Sequence, residues 1–320
     1  MDSMHATLLA PAPLVCEALV FSRMPDRFRT NTVSDWSESN RPGHPVDSFL
    51  EGPVFDRAGN LYVCDIPHGR IFRISPAGAW SLVAQYDGEP NGLKFYDDHR
   101  LIAADYRRGL VLIDVRDGSV APHLPRRHSE GFKGLNDLIF DRAGNLYFTD
   151  QGQSGMHDPR GRLYRLAPDG RLDVLVDGIP SPNGVCLSPD ERVLYLAVTR
   201  ANAVWRVPLH ADGGVSKVGV FFTSYGPAGP DGLAMTSGGL LLVANPGLGY
   251  VWVLNARAEP VMVIRSPAGT SVTNLAFGGP QRRTVYCTES STGTVLRATI
   301  DQPGAPLASG ERTHTMGTTS

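Results

Sequence analysis

Short apolar runs alternate with polar turns along most of the 320-residue chain. The stretch EGPVFDRAGNLYVCD, residues 51–65, shows the pattern. An apolar run reaches Phe55, a polar turn fills 56–60, and Leu61, Tyr62, Val63 and Cys64 resume the apolar text. This pattern predicts a β-hairpin with a glycine-containing turn. NDLIFDRAGNLYFTD, residues 136–150, repeats it nearly letter for letter, and hairpins of the same shape start at Asn91, Asn183, Asp231 and Asn274. The first apolar residue after each turn serves as a register mark. These marks are Leu61, Leu101, Leu146, Val193, Leu240 and Val285, with gaps of 40, 45, 47, 47 and 45 residues. A period of this length with about four strands per unit predicts a β-propeller. The later strands of each unit alternate apolar and polar residues at 69–84, 109–124, 161–176, 202–221 and 249–264, as half-buried strands do.

The expected fold is therefore all-β, a six-bladed β-propeller with a central metal site. Its blades are read at 45–85, 86–125, 132–178, 179–222, 227–265 and 270–300 of a single domain spanning 1–320. The sixth unit is short of a strand. The N-terminal text LVCEALVF, 14–21, is expected to complete a blade and close the ring, which removes exposed sheet edges. Residues 304–320 read as a flexible tail.

Composition narrows the function. Hydrophobic residues make up 42% of the chain, enough for a sizeable core. The 35 glycines and 25 prolines are spread out, which marks turns rather than a disordered tract. A net charge of −2 without long like-charge runs argues against a nucleic-acid or membrane-surface partner. No apolar run is long enough to span a membrane. The N-terminus lacks a basic region ahead of its proline-broken apolar part and reads as mature protein. The expectation is a cytoplasmic monomer or homodimer. Cys16, Cys64, Cys186 and Cys287 form no CxxC pair. Buried thiols are the plainer reading, and a Cys16–Cys287 bridge between the chain ends is the sharper one.

The heads of the hairpins carry the chemistry. Counting back 10, 10, 10, 10, 9 and 11 residues from the register marks reaches Glu51, Asn91, Asn136, Asn183, Asp231 and Asn274. The first strand of a propeller blade lines the central channel, so these six side chains are expected inside it at one height. Such a ring of oxygens suits a hard divalent cation such as Ca²⁺. Glu51 and Asp231 would balance the charge, whereas a His/Cys ring would have pointed to zinc or copper. The competing reading is turn chemistry, because Asn91, Asn183 and Asp231 each precede a glycine. Six equivalent positions, with no Lys or Arg among them, favour the metal reading.

Glu51-Gly52, Asn136-Asp137 followed by FDRAGNLYFTD, Pro182-Asn183-Gly184, and Pro230-Asp231-Gly232 together resemble the SMP-30/gluconolactonase/LRE-like family, in particular its bacterial lactonase branch. The resemblance spans roughly 45–300. It implies a six-bladed propeller holding one divalent cation, usually Ca²⁺ (Zn²⁺, Mn²⁺ or Mg²⁺ in some members). The implied ligands are Glu51, Asn136, Asn183 and Asp231, and the implied reaction is lactone hydrolysis. Two departures are visible. Sugar-lactonase members carry an arginine two residues before the Asn-Asp motif, where this chain has Gly134. That argues against a simple aldonolactone. A Ser-Asp-Thr triplet common in the family reads Ala197-Val198-Thr199 here.

The expected mechanism has the cation polarise the lactone carbonyl. Asp231, or water on the cation, supplies the attack, and Asn136 joins Asp231 in the catalytic set. Asp231 is open to three roles: base, nucleophile or ligand only. Expected substrate contacts are Asn91, Tyr106, Arg108, His128, Tyr225 and Asn274, from loops on the same rim. His68, Gln151, His157, Arg200 and Asn245 are further rim candidates, and 126–134 is a candidate lid. Two alternatives stand beside lactone hydrolysis: an organophosphate hydrolase of the diisopropylfluorophosphatase type, and a metal-stabilised binding propeller. A strictosidine-synthase-like condensation fits poorly, because Glu289 is the single acidic residue in the last hairpin.

Overall fold

The computed structural model describes residues 11–310. Six antiparallel sheets follow one another along the chain, at 50–85, 90–124, 135–179, 182–223, 233–265 and 272–299, in a six-bladed β-propeller. The inner strands face neighbours on both sides, so they are buried almost without alternation, polar residues included. Every residue of Leu135–Phe140 and of Pro182–Leu187 is buried. The outer strands Val120–Leu124 and Gly219–Thr223 have no fully buried residue. Apolar side chains of adjacent blades interlock. Val185, Leu196 and Val204 of blade four, for example, share a cluster with Leu233, Val243 and Trp252 of blade five.

The duplicated hairpin text folds in duplicate. Asp56 accepts hydrogen bonds from the backbone and side chain of Asn60, both at 2.8 Å. Asp141 does the same for Asn145, again at 2.8 Å each. An Asp that satisfies the turn four residues on fixes the hairpin register.

The N-terminal segment closes the ring in a divided way. Leu19–Arg23 pairs antiparallel with Thr294–Thr299 and supplies the outer strand of blade six. Leu14–Glu17 instead lies parallel to Pro260–Arg265 as a fifth strand of blade five. The expected single strand is therefore two short strands, joined where the Ala18 N–H donates to the Arg265 carbonyl at 2.9 Å. Cys16 and Cys287 are both free thiols, so the bridge between them is not formed.

Residues 304–310, the start of the expected tail, pack against the ring. Gly304 bridges Thr236, and the Ala305 N–H donates to the Met235 carbonyl at 2.8 Å. Gly304 lies against Phe277, and Gly310 against Tyr96 and Phe140. These partners close the inner strands of blades two, three, five and six, at the end of the channel opposite the strand heads. The rest of the tail, 311–320, lies outside the described residues.

Candidate functional site

The structure places the predicted ring at the heads of the inner strands: Glu51, Asn91, Asn136 and Asn183 are second in theirs, Asn274 is third, and Asp231 lies two residues ahead of Leu233–Met235. Glu51, Asn91, Asn136, Asn183 and Asn274 are 3–9% exposed, while Asp231 keeps a partly exposed face. The glycines that follow are not turn residues. A β-carbon on Gly92 would stand 2.6 Å from Asp137 Oδ1, on Gly184 2.3 Å from the Asp231 carbonyl, and on Gly232 2.3 Å from Asn274 Oδ1. Each glycine lets the head of the next blade come close enough to join the ring. The turn reading of these Asn-Gly and Asp-Gly pairs is thereby set aside.

Hydrogen bonds link the ring members. Asn274 Nδ2 donates to Glu51 Oε2 at 2.8 Å, and the Gly52 N–H donates to the same oxygen at 3.0 Å. Asn136 Nδ2 donates to Gln151 Oε1 at 3.1 Å, and Gln151 Nε2 donates on to Ser181 at 2.9 Å. Asn274 Oδ1 accepts from the Leu275 N–H at 2.8 Å, whereas the Asn136 and Asn183 amide oxygens have no donor among the described residues and are available for a ligand.

The electrostatics are unusual for a protein interior. Burial raises the Glu51 carboxyl from its ordinary 4.5 to about 7, against the pull of its hydrogen bonds and with the charge of Asp137 adding to the rise. Withdrawal from water, then the charges of Glu51 and Asp137, push the Asp231 carboxyl well up. Of these three carboxylates only Asp137 has an ion-pair partner among the described residues, Lys94 Nζ at 3.9 Å. Buried carboxylates without a counter-charge are strongly unfavourable. An oxygen-only donor set with two uncompensated acids fits a hard divalent cation. Glu51, Asn136, Asn183 and Asp231 are the residues that would hold it.

The remaining candidates occupy varied positions. Tyr106 lies on Gly134, whose missing side chain makes room for the ring: a β-carbon there would sit 2.4 Å from Tyr106 Cε2. Gln153 Nε2 donates to the Tyr106 hydroxyl at 2.8 Å. Arg108 turns away from the ring onto Asp87, with Nη2 2.6 Å from Oδ2. His128 stands at the tip of a small hairpin, Arg126–Arg127 with Glu130–Gly131, at φ 52°. Tyr225 is 59% exposed and packs edge-on against Trp252 with ring centres 5.6 Å apart. His68 Nε2 lies 3.2 Å from the Val46 carbonyl. Arg200 is near enough for its charge to act on Asp231.

A second polar register was missed. The last residue of each second strand is Asp65, Asp105, Asp150, Val198, Asn245 and Glu289. In four blades an acid here accepts backbone N–H groups of the loop entering its own blade. Asp65 takes Phe49 N at 2.7 Å, Asp105 takes Glu89 N at 3.0 Å, and Asp150 takes Lys133 N and Gly134 N at 2.9 and 2.8 Å. Glu289 takes Ser271 N at 3.0 Å, and Asn245 accepts from the Ser224 hydroxyl. In blade four, where the family triplet is altered, Thr199 substitutes: its N–H donates to the Ser181 carbonyl at 3.0 Å and its hydroxyl to that of Pro230 at 2.7 Å. The signal was present in the repeat as the terminal letter of YVCD, AAD, FTD, VAN and CTE.

A propeller with a ring of buried acids and amides at one end of its channel is the class the fold and site define. The family model described as the SMP-30/gluconolactonase/LRE-like region matches residues 49–291, and the chain belongs to that family. The lactonase drp35 of Staphylococcus aureus (strain MW2) is 32% identical over 253 residues, 75% of each chain. The lactonase drp35 of Staphylococcus saprophyticus is 31% identical over 252 residues, 74% of this chain and 75% of that one. Among solved structures, a putative gluconolactonase aligns with TM-score 0.71 at 25% identity, covering 81% of this chain and 91% of that one. The calcium-binding protein regucalcin from Agrobacterium tumefaciens aligns with TM-score 0.76 at 23% identity, covering 94% and 100%. At that identity it speaks for the fold alone.

Proposed function

We propose that this chain is a divalent-cation-dependent lactonase acting on a small-molecule lactone other than a simple aldonolactone. The observation that carries the reading is the pair Glu51 and Asp231, two acids of the channel ring with no ion-pair partner among the described residues, although the charge of Arg200 reaches Asp231. Membership of the family and the lactonase names of its relatives support it. Glu51, Asn136, Asn183 and Asp231 hold the cation, with Ca²⁺ favoured by the oxygen donors. When bound, the cation supplies Lewis-acid polarisation of the ester carbonyl.

The chain's own groups do the rest. Asp231 is the ring acid that retains contact with solvent. It takes a proton from the attacking water as the water oxygen bonds to the carbonyl carbon. The ring C–O bond then breaks, and the same proton passes to the departing ring oxygen, leaving a hydroxy acid. Gln151 holds Asn136 in place through its 3.1 Å hydrogen bond. Tyr106 walls the site beside Asn136, and Asn91 and Asn274 complete the ring around the substrate. The four free thiols suit a reducing compartment, and the reading places the enzyme in the cytoplasm.

The test is hydrolysis of γ-, δ- and aryl lactones before and after chelation, with Ca²⁺, Zn²⁺, Mn²⁺ and Mg²⁺ restored singly. Turnover of a lactone that is lost with EDTA and regained with one metal supports the reading. Turnover of organophosphates with no lactone opened would overturn it.

A further inference from the structure

Glu89, at the entry to blade two, is a buried acid that neither the ring nor the register of second-strand acids uses. Glu89 lies between the outer strand of blade one, Trp80–Gln85, and the inner strand of blade two, Pro90–Phe95. Its backbone is clamped on both sides. The Glu89 N–H donates to Asp105 Oδ2 at 3.0 Å, and its carbonyl accepts from the Tyr106 N–H at 2.9 Å. The residue is 7% exposed. Among the described residues its carboxylate has no hydrogen-bond or ion-pair partner.

Glu89 lines a cleft of about 290 Å³ shared with Ser34, Asp35, His68, Asp87 and Arg107. The volume is near the lower end of small-molecule sites, which run from about 300 Å³ upward. The cations close by are already engaged. Arg107 Nη1 is 2.9 Å from Asp87 Oδ1 and 4.0 Å from Asp35 Oδ2, and Arg108 Nη2 is 2.6 Å from Asp87 Oδ2. Glu89 is the acid left over. Burial raises its carboxyl to about 7, with Arg107 opposing and Asp105, Asp35 and Asp87 adding to the rise. Glu89 stands two residues before Asn91 of the ring. The charge of Glu89 acts on Tyr106, and Tyr106 lies on Gly134, two residues before Asn136.

Resting on the lactonase reading above, we propose that Glu89 is a specificity-determining residue that receives a protonated amino group carried by the substituent of a lactone. A metal ion fits the cleft poorly, because it would need six or more oxygens while guanidinium groups occupy Asp35 and Asp87. A single ammonium with one N–H to donate matches one lone carboxylate. Its charge-assisted hydrogen bond is of the stronger kind.

The experiment compares wild type with Glu89→Gln, an isostere that keeps shape and removes charge. The probes are a γ-butyrolactone bearing a dimethylaminomethyl group, its isobutyl twin, and the two corresponding lactams as inert ligands read by calorimetry in the presence of Ca²⁺. Thermal melting verifies that the variant folds. Wild type is expected to favour the amino lactone in kcat/KM. Glu89→Gln should cut the amino-to-isobutyl ratio at least tenfold and weaken the amino lactam by a similar factor. An unchanged ratio with unchanged lactam affinity overturns the proposal while leaving lactone hydrolysis standing. If no lactone is opened yet the amino lactam binds and Glu89→Gln weakens it, the amine site stands and the lactonase reading falls.

Discussion

Glu51 is the residue at which stability and function pull apart. A carboxyl raised from 4.5 to about 7 on folding favours the folded state below 4.5 and loses that contribution as pH climbs to about 7. In cation-stripped protein the melting temperature of wild type should therefore fall, relative to Glu51→Gln, between those two pH values. Ca²⁺ at about 100 times its dissociation constant adds about 2.7 kcal/mol to the wild type and should reverse the order at neutral pH. Scanning calorimetry at several pH values, with and without Ca²⁺, reads both signs. Lactone turnover by Glu51→Gln should drop by about 100-fold or more, the scale of losing one charge-stabilising group. A melting curve that ignores both pH and Ca²⁺ would remove the cation from the account. The glycines make the opposite kind of prediction. Gly232→Ala puts a methyl 2.3 Å from Asn274 Oδ1 and should cost about 1–3 kcal/mol in urea unfolding. Gly219→Ala, with open space around it, should stay within about 0.5 kcal/mol. The sequence showed Glu51 because an acid stood in an apolar register. It did not show why Gly232 is a glycine, because the constraint comes from the next blade, 42 residues away.

At the scale of elements, the hairpins were legible and their fastenings were not. Two nearly identical stretches of text fold to two hairpins held by the same Asp–Asn bonds, since the whole interaction lies within five residues. The acids that end the second strands act on loops 16 to 18 residues earlier in the chain. Periodicity marks such positions, but only packing shows what they touch. Asp150 illustrates the consequence. It accepts from both Lys133 and Gly134, which lead the chain into Asn136, with Gly134 packed against Tyr106. Asp150→Ala leaves two N–H groups without an acceptor at a part-buried site, at a cost of about 1–3 kcal/mol. Hydrogen exchange at the Lys133 and Gly134 amides should accelerate well beyond that of the blade cores, and KM should rise more than kcat falls. Equal acceleration across all six blades would mean that Asp150 supports global stability rather than this loop.

At the scale of the whole molecule, a propeller is a ring, and a ring is as sound as its closure. Here two closures work at different places. The N-terminal strands Leu14–Glu17 and Leu19–Arg23 fasten blades five and six from outside. Residues 304–310 reach from Met235 of blade five to Tyr96 of blade two and Phe140 of blade three across the far end of the channel. The first closure covers the backbone edge of Thr294–Thr299, so its loss exposes unpaired N–H and C=O groups that invite association. The second contributes mainly apolar contact, at Phe277, Tyr96 and Phe140. The two truncations should therefore fail in different ways. Removing residues 1–23 should give a chain that aggregates and melts without a sharp transition, because blade six loses its outer strand. Truncation after residue 303 should leave a monodisperse ring that melts a few degrees lower. Its channel should then admit solvent from behind the acids of the mouth, so Ca²⁺ binding should weaken while the inner strands keep their hydrogen-exchange protection. Size-exclusion chromatography with Ca²⁺ titration of both truncations distinguishes these outcomes. If the C-terminal truncation binds Ca²⁺ as wild type does, solvent exclusion at the far end plays no part in holding the ion, and the ring of blade heads is sufficient alone.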